Sequence, residues 1–139
     1  NMATTNATIS ISSDIMSYPI GINKTMAMHK LGSAVGLDET SGLRTKKFNA
    51  EDAVVVIEED EFTNTKASKV YMRNTGSSST EFFYVAKHAS AAAAATDAET
   101  IGKLYGGDWM LIPYLADVNI TVAPSTTNEM TLEFMVFVE

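Results

Sequence analysis

Polar and apolar residues alternate strictly in Glu129-Met130-Thr131-Leu132-Glu133-Phe134. In an extended chain, successive side chains point to opposite faces. Met130, Leu132 and Phe134 therefore share one face of a strand, and Glu129, Thr131 and Glu133 share the other. The next run, Met135-Val136-Phe137-Val138, is apolar on both faces. It predicts a strand covered on both sides, by its own domain or by a neighbouring subunit. Thr8-Ile9-Ser10-Ile11-Ser12 alternates in the same way, and Ala53-Val54-Val55-Val56-Ile57 is continuous and mostly β-branched. Asn119-Ile120-Thr121-Val122 ends at Ala123-Pro124, where proline cannot continue a central strand. Val70-Tyr71-Met72 leads through Asn74-Thr75-Gly76 to Glu81-Phe82-Phe83-Tyr84-Val85. These two runs read as a hairpin with Ser77-Ser78-Ser79-Thr80 at its tip.

Helix is scarce. Ser90 to Thr100 holds five alanines in a row, Ala91 to Ala95, but so short a helix is marginal in water and offers little bulk to bury. It is expected to be a surface loop with one or two helical turns. Gly32 to Gly42 reads as a long loop from its glycines. Short strands about ten residues apart point to an all-β chain, a single antiparallel β-sandwich or jelly-roll-like domain with long loops. That domain is expected over residues 9–139. Residues 1–8 are polar and poor in core formers, which predicts an extended N-terminal arm that orders against another subunit.

Ile101-Gly102-Lys103-Leu104-Tyr105-Gly106-Gly107-Asp108-Trp109-Met110-Leu111-Ile112-Pro113-Tyr114 raises the question of a phosphate loop. Such a loop needs glycines followed by a helix whose first amides face the anion. Here a bulky, β-prone run follows instead and closes on proline. Tyr105-Gly106-Gly107-Asp108 is therefore expected to be a tight structural turn, with at least one of Gly106 and Gly107 at positive φ. Ile101 and Leu104 are expected to pack before it. Met110 with Ile112, or Trp109 with Leu111, would pack after it.

Charge changes the picture. The 139 residues carry a formal net charge of -7, which argues against nucleic acid as a partner. No apolar run reaches the roughly 18 residues of a membrane-spanning helix, so no membrane partner is expected. Asn1-Met2-Ala3-Thr4-Thr5 has neither the basic nor the apolar segment of a secretion signal. There are no cysteines, and hydrophobic residues make up 45% of the chain, enough for a core without a disulfide.

The chemistry-bearing residues are sparse. His29 and His88 are the two histidines, and their spacing is no zinc motif, so no metal and no cofactor are expected. Glu58-Glu59-Asp60-Glu61 lacks the alternating ligands and central glycine of a calcium loop and reads as a solvated turn. No Gly-x-Ser-x-Gly elbow occurs, and nothing in the sequence brings Asp14, Asp38 and Asp108 together as catalytic carboxylates. No enzyme is expected. Arg44-Thr45-Lys46-Lys47 is a basic cluster on an acidic chain. It fits an edge strand kept from aggregating by its charges, or a docking site for an acidic partner. Trp109 and Tyr114 could stack on a sugar, but aromatics after a turn are expected in the core.

Three stretches carry a resemblance: "KVYMRNTGSSSTEFFYV", "IGKLYGGDWMLIPY" and "DVNITVAPSTTNEMTLEFMVFVE". Their order resembles a pattern in small structural proteins of tailed phages. "ATISISSDIMSYPIGINKTMAMHKLG" and "SGLRTKKFNA" are similar to virion proteins of cyanophages. The resemblance implies a non-enzymatic virion component. Its foremost post is on the capsid exterior as a decoration or cement protein, with a tail or neck position the other. Its partners would be the major capsid protein and further copies of itself, a trimer being the simplest form at a symmetry axis. Asn1, Met2, Ala3, Thr4, Thr5, Arg44, Lys46 and Lys47 are the candidate interface residues.

Overall fold

The same alternation of faces that marks the sequence builds the fold. The computed structural model describes residues 4–30, 32–33, 36–95 and 100–139. Two strands come first, β1 (Asn6–Ser13) and β2 (Ile20–Ala27), then the two-residue β3 (Glu39–Thr40). Eight more follow: β4 (Arg44–Phe48), β5 (Val54–Ile57), β6 (Ser68–Asn74), β7 (Phe82–Lys87), β8 (Thr100–Tyr105), β9 (Trp109–Tyr114), β10 (Ile120–Pro124) and β11 (Met130–Val138). A short 3-10 helix, Ala91–Ala95, lies between β7 and β8.

From β4 onward the strands form two antiparallel sheets. One runs β5-β10-β7-β8; in the other β6 lies between β11 and β9, and β3 and β4 share the far side of β11. Counted from β4, the first strand lies beside the eighth, the eighth beside the third, and the third beside the sixth. The second lies beside the seventh, the seventh beside the fourth, and the fourth beside the fifth. This is the pairing of an eight-stranded jelly roll. The expected all-β sandwich is the observed fold.

The core sits between the sheets. Phe48, Val70, Met72 and Leu132 face Ile57, Phe83, Val85 and Ile120 in one buried cluster. The rings of Phe48 and Phe83 meet edge to face across it, with centroids 5.2 Å apart. Met130, Leu132 and Phe134 are buried on one face of β11 as their period requires, and the intervening residues are half-buried.

The expected hairpin between β6 and β7 does not form. β6 pairs with β11 and β9, whereas β7 pairs with β10 and β8. Both sides of β6 are already occupied, so the chain after Asn74 crosses to the opposite sheet. The two strands were legible; the partner of each depends on strands distant in sequence. Three further expectations change. Ile101 does not pack but stays 53% exposed, while Leu104 is buried. The alanine segment is not merely a surface loop, because Ala94 is fully buried against Ala86 and Ala123 on the outer face of the β5-β10-β7-β8 sheet. Small side chains let the helix approach a sheet face that is itself alanine-rich. Gly32 to Gly42 includes β3, whose Glu39 and Thr40 pair with Val138 and Phe137.

Candidate assembly surface

β1 and β2 pair only with each other, in a hairpin outside both sheets of the jelly roll. Its register sorts the side chains cleanly. Ala7 lies opposite Met26, Ile9 opposite Lys24, Ile11 opposite Ile22 and Ser13 opposite Ile20. These pairs share one face, and apart from Lys24 and Ser13 it is apolar. The other face pairs Asn6 with Ala27, Thr8 with Thr25, Ser10 with Asn23 and Ser12 with Gly21. There the hydroxyls of Thr8 and Thr25 hydrogen-bond across the strands at 2.7 Å.

The apolar face is open. Ile9, Ile11, Ile22 and Met26 are each about two-fifths exposed, and the tip adds Ile15 at 86%, Met16 at 49% and Tyr18 at 59%. Together these side chains amount to several hundred Å² of apolar surface. Patches on the order of several hundred Å² mark interaction sites more often than chance. An isolated two-stranded hairpin is also marginally stable in water. Its root is held at one end, where the Met28 N–H donates to the Thr5 carbonyl at 2.9 Å and Met28 is buried.

Beside the root lies an apolar groove of about 240 Å³, lined by Ala7, Ile9, Met26, Trp109 and Leu111 among others. Trp109 and Leu111 stand on the outer face of β9. Alternation puts Met110 and Ile112 inward, where they pack against the core. Trp109 is therefore not in the core, contrary to expectation, and is 53% exposed. Tyr114 is in the core, with its hydroxyl donating to the Val118 carbonyl at 3.0 Å. Burial, reinforced by the carboxylates of Asp117 and Glu61, pushes its pKa up to about 12.

The other candidate residues fall in three places. Asn1, Met2 and Ala3 lie outside the described residues. Thr4 precedes β1, and Thr5 accepts the Met28 amide; β1 itself begins at Asn6, so residues 6–8 of the expected arm are strand. Arg44, Lys46 and Lys47 lie on β4, which pairs with β11 alone. Arg44 bonds Glu61 at 2.7 Å and Lys47 approaches Glu129 at 3.4 Å. Lys46 lies opposite the buried Leu132, on the inward-facing side of β4, with its ammonium 5.7 Å from the Phe48 ring centre. An inward-pointing lysine at a sheet edge is a recognised block to edge-to-edge pairing.

Gly106 and Gly107 form a tight turn, and each needs glycine for its own reason. Gly107 has φ 84°, in the left-handed region. A Cβ on Gly106 would lie 2.5 Å from the Ser78 backbone nitrogen. The amides of both are engaged, Gly106 with the Ser78 carbonyl and Gly107 with that of Asn74. The adjoining cavity of about 260 Å³ is lined by Glu81 and Glu129 as well as serines. Occupied amides and two carboxylates make a poor seat for phosphate.

The remaining titratable groups are used locally. Asp38 pairs with Lys66, the Asp108 carboxylate accepts the Tyr105 N–H at 2.9 Å, and Asp14 is at the hairpin tip. His29 Nδ1 contacts the Lys30 carbonyl, and His88 Nδ1 accepts the Ser90 N–H. Glu58 to Glu61 are exposed. Among the described residues, no group of three or more acidic or histidine side chains could hold a metal ion. The hairpin was half legible: the period of Thr8–Ser12 marked β1. The matching Ile20-Gly21-Ile22 start of β2 was missed because Lys24 interrupts the apolar face of its pattern. No family model, curated protein or solved structure matches the chain.

Proposed function

We propose that this chain is a non-enzymatic structural protein of a phage virion, one that decorates the capsid exterior and reinforces it by bridging major capsid protein subunits. The observation that carries the reading is the β1–β2 hairpin, an uncovered apolar arm outside both sheets of the jelly roll. A protein that works alone has no use for such an arm; one that works in a lattice of repeated copies does. The order of motifs that resembles phage structural proteins supports the virion setting. Jelly rolls serve as shell domains as well as lectins. The mechanism is added interface: contacts burying more than about 1,000 Å² around each symmetry axis hold neighbouring capsid subunits together against the packaged genome.

The test is the amount of this chain in purified virions, measured by gel densitometry. Decoration predicts copies comparable to the major capsid protein. A few copies per particle would place it in the tail or neck, and absence would end the reading. Trp109, half-exposed beside a groove, favours one other reading, a carbohydrate-binding module. That reading predicts a change of tryptophan fluorescence with glycans and no affinity for shells.

A further inference from the structure

The hairpin tip and the groove at its root are a knob and a hole that one chain cannot join. β1 is a continuous strand from Asn6 to Ser13. At about 3.3 Å per residue, some 20 Å separates Ala7 in the groove from Ser13 at the tip. Ile15, Met16 and Tyr18 therefore cannot reach the groove of their own chain, which stays open beside Trp109 and Leu111.

We propose that the tip of each hairpin inserts into the Trp109–Leu111 groove of a neighbouring copy of the same chain. The inference takes the hairpin as an assembly element, as above, and adds where it docks. Three observations select a second copy. Residues 6–27 carry one aspartate, Asp14, and one lysine, Lys24, so the arm is neutral on a chain of formal charge -7. Asp14 stands beside Ile15 at the tip and Lys24 lines the groove, so the two charges brought to the contact are opposite in sign. The groove wall is mainly apolar, with Ile9 and Met26 beside Lys24 on the hairpin side and Trp109 and Leu111 from β9, which suits Ile15 and Met16. The apolar side chains left exposed on tip and groove, Ile15, Met16 and Tyr18 with Ile9, Met26 and Trp109, contribute on the order of several hundred Å² toward the roughly 800 Å² that each partner gives to a stable interface. Because tip and groove are different surfaces, copies either exchange tips reciprocally or meet head-to-tail, and a head-to-tail contact makes a ring where its rotation closes.

The chain has no cysteine, which makes the contact testable by cross-linking. Two differently tagged chains, one carrying Ile15→Cys and the other Leu111→Cys, are mixed and mildly oxidised. The expected product is the mixed disulfide. In wild type, Trp109 emission should move to shorter wavelength as the protein is concentrated and oligomers form. Ile15→Asp should abolish that shift while leaving the circular dichroism and melting of the domain unchanged, because Ile15 is 86% exposed. Oligomers whose Trp109 emission does not move, or disulfides only between Ile15→Cys chains, would overturn the groove contact and leave the arm as an assembly element. A wild type that stays monomeric at every concentration would overturn the contact between copies, while the capsid reading stands or falls separately on its copy number in virions.

Discussion

The carbonyl of Asn74 accepts the backbone N–H of Gly107 at 2.9 Å, joining the end of β6 to the turn between β8 and β9. The Asn74 N–H donates to the Asp108 carbonyl, its side-chain amide donates to the Leu104 carbonyl at 3.0 Å, and its side-chain oxygen accepts the Gly76 N–H at 3.0 Å. One buried residue thus satisfies its own four polar groups and fastens two sheet crossings together. Burial without those partners would be unfavourable.

Changing either end of this junction should destabilise the domain. Gly107→Val forces a β-branched residue to positive φ and is expected to lose about 1–3 kcal/mol. Gly106→Ala is expected to lose a similar amount for a different reason, since its Cβ meets the backbone at Ser77 and Ser78. Asn74→Ala leaves the Leu104 carbonyl and Gly76 amide without these partners and should cost about 1–3 kcal/mol. Urea unfolding measures all three. Wild-type stability in both glycine variants would remove the turn's structural role.

The junction also shows what was legible in the sequence. The Gly106–Gly107 turn could be read locally, because a turn is a property of four residues. The strands could be read because period two is written in each segment. That Asn74 ends one strand and fastens a turn thirty residues later could not, since the contact depends on which strands pair. Trp109 was misplaced for a related reason. The run Trp109 to Ile112 is apolar on both faces, so its period does not say which face is inward; pairing with β6 decides it. The apolar hairpin was hidden because alternation implies a covered face without saying what covers it.

Ala94→Leu should expose the close fit of the 3-10 helix on its sheet. Ala94, Ala86 and Ala123 are all buried, leaving no room for a larger side chain. Overpacking of this kind costs about 1–3 kcal/mol. A lowered melting temperature with an unchanged oligomeric state is the expected result, because the helix lies on the face away from β9. An unchanged melting temperature would mean that the alanines lie loosely on the sheet.

Alkaline unfolding should report on Tyr114. Its folded pKa is raised to about 12, against about 10 in an unfolded chain. The folded state therefore holds the proton more tightly. The stabilisation is complete below pH 10 and is lost as pH rises from about 10 to 12. Stability measured across that window should fall in wild type and fall less steeply in Tyr114→Phe. Equal slopes in the two proteins would show that other groups govern the transition.

The basic edge strand joins stability to the proposed shell contact. Arg44 and Lys47 have carboxylate partners on their own surface, and exposed pairs of this kind are worth about 0–1 kcal/mol. Both can exchange those partners for carboxylates on a capsid at little cost. Lys46, on the inward-facing side of β4 with Arg44, lies beside Leu132 on an open sheet edge, where a lysine opposes pairing with another β-sheet. The two roles predict different outcomes. Lys46→Val should leave the fold intact and cause association through β4, seen as rising light scattering with time. Changing Arg44, Lys46 and Lys47 together to Gln should slow attachment to undecorated shells at low ionic strength. The difference from wild type should shrink as salt shortens the Debye length to about 10 Å at 0.1 M and below it at higher salt. A rate change confined to association places the charges at the rim of the contact, and a change in dissociation places them inside it. If the triple variant attaches at the wild-type rate at both ionic strengths while Lys46→Val aggregates, the cluster protects a sheet edge and takes no part in docking.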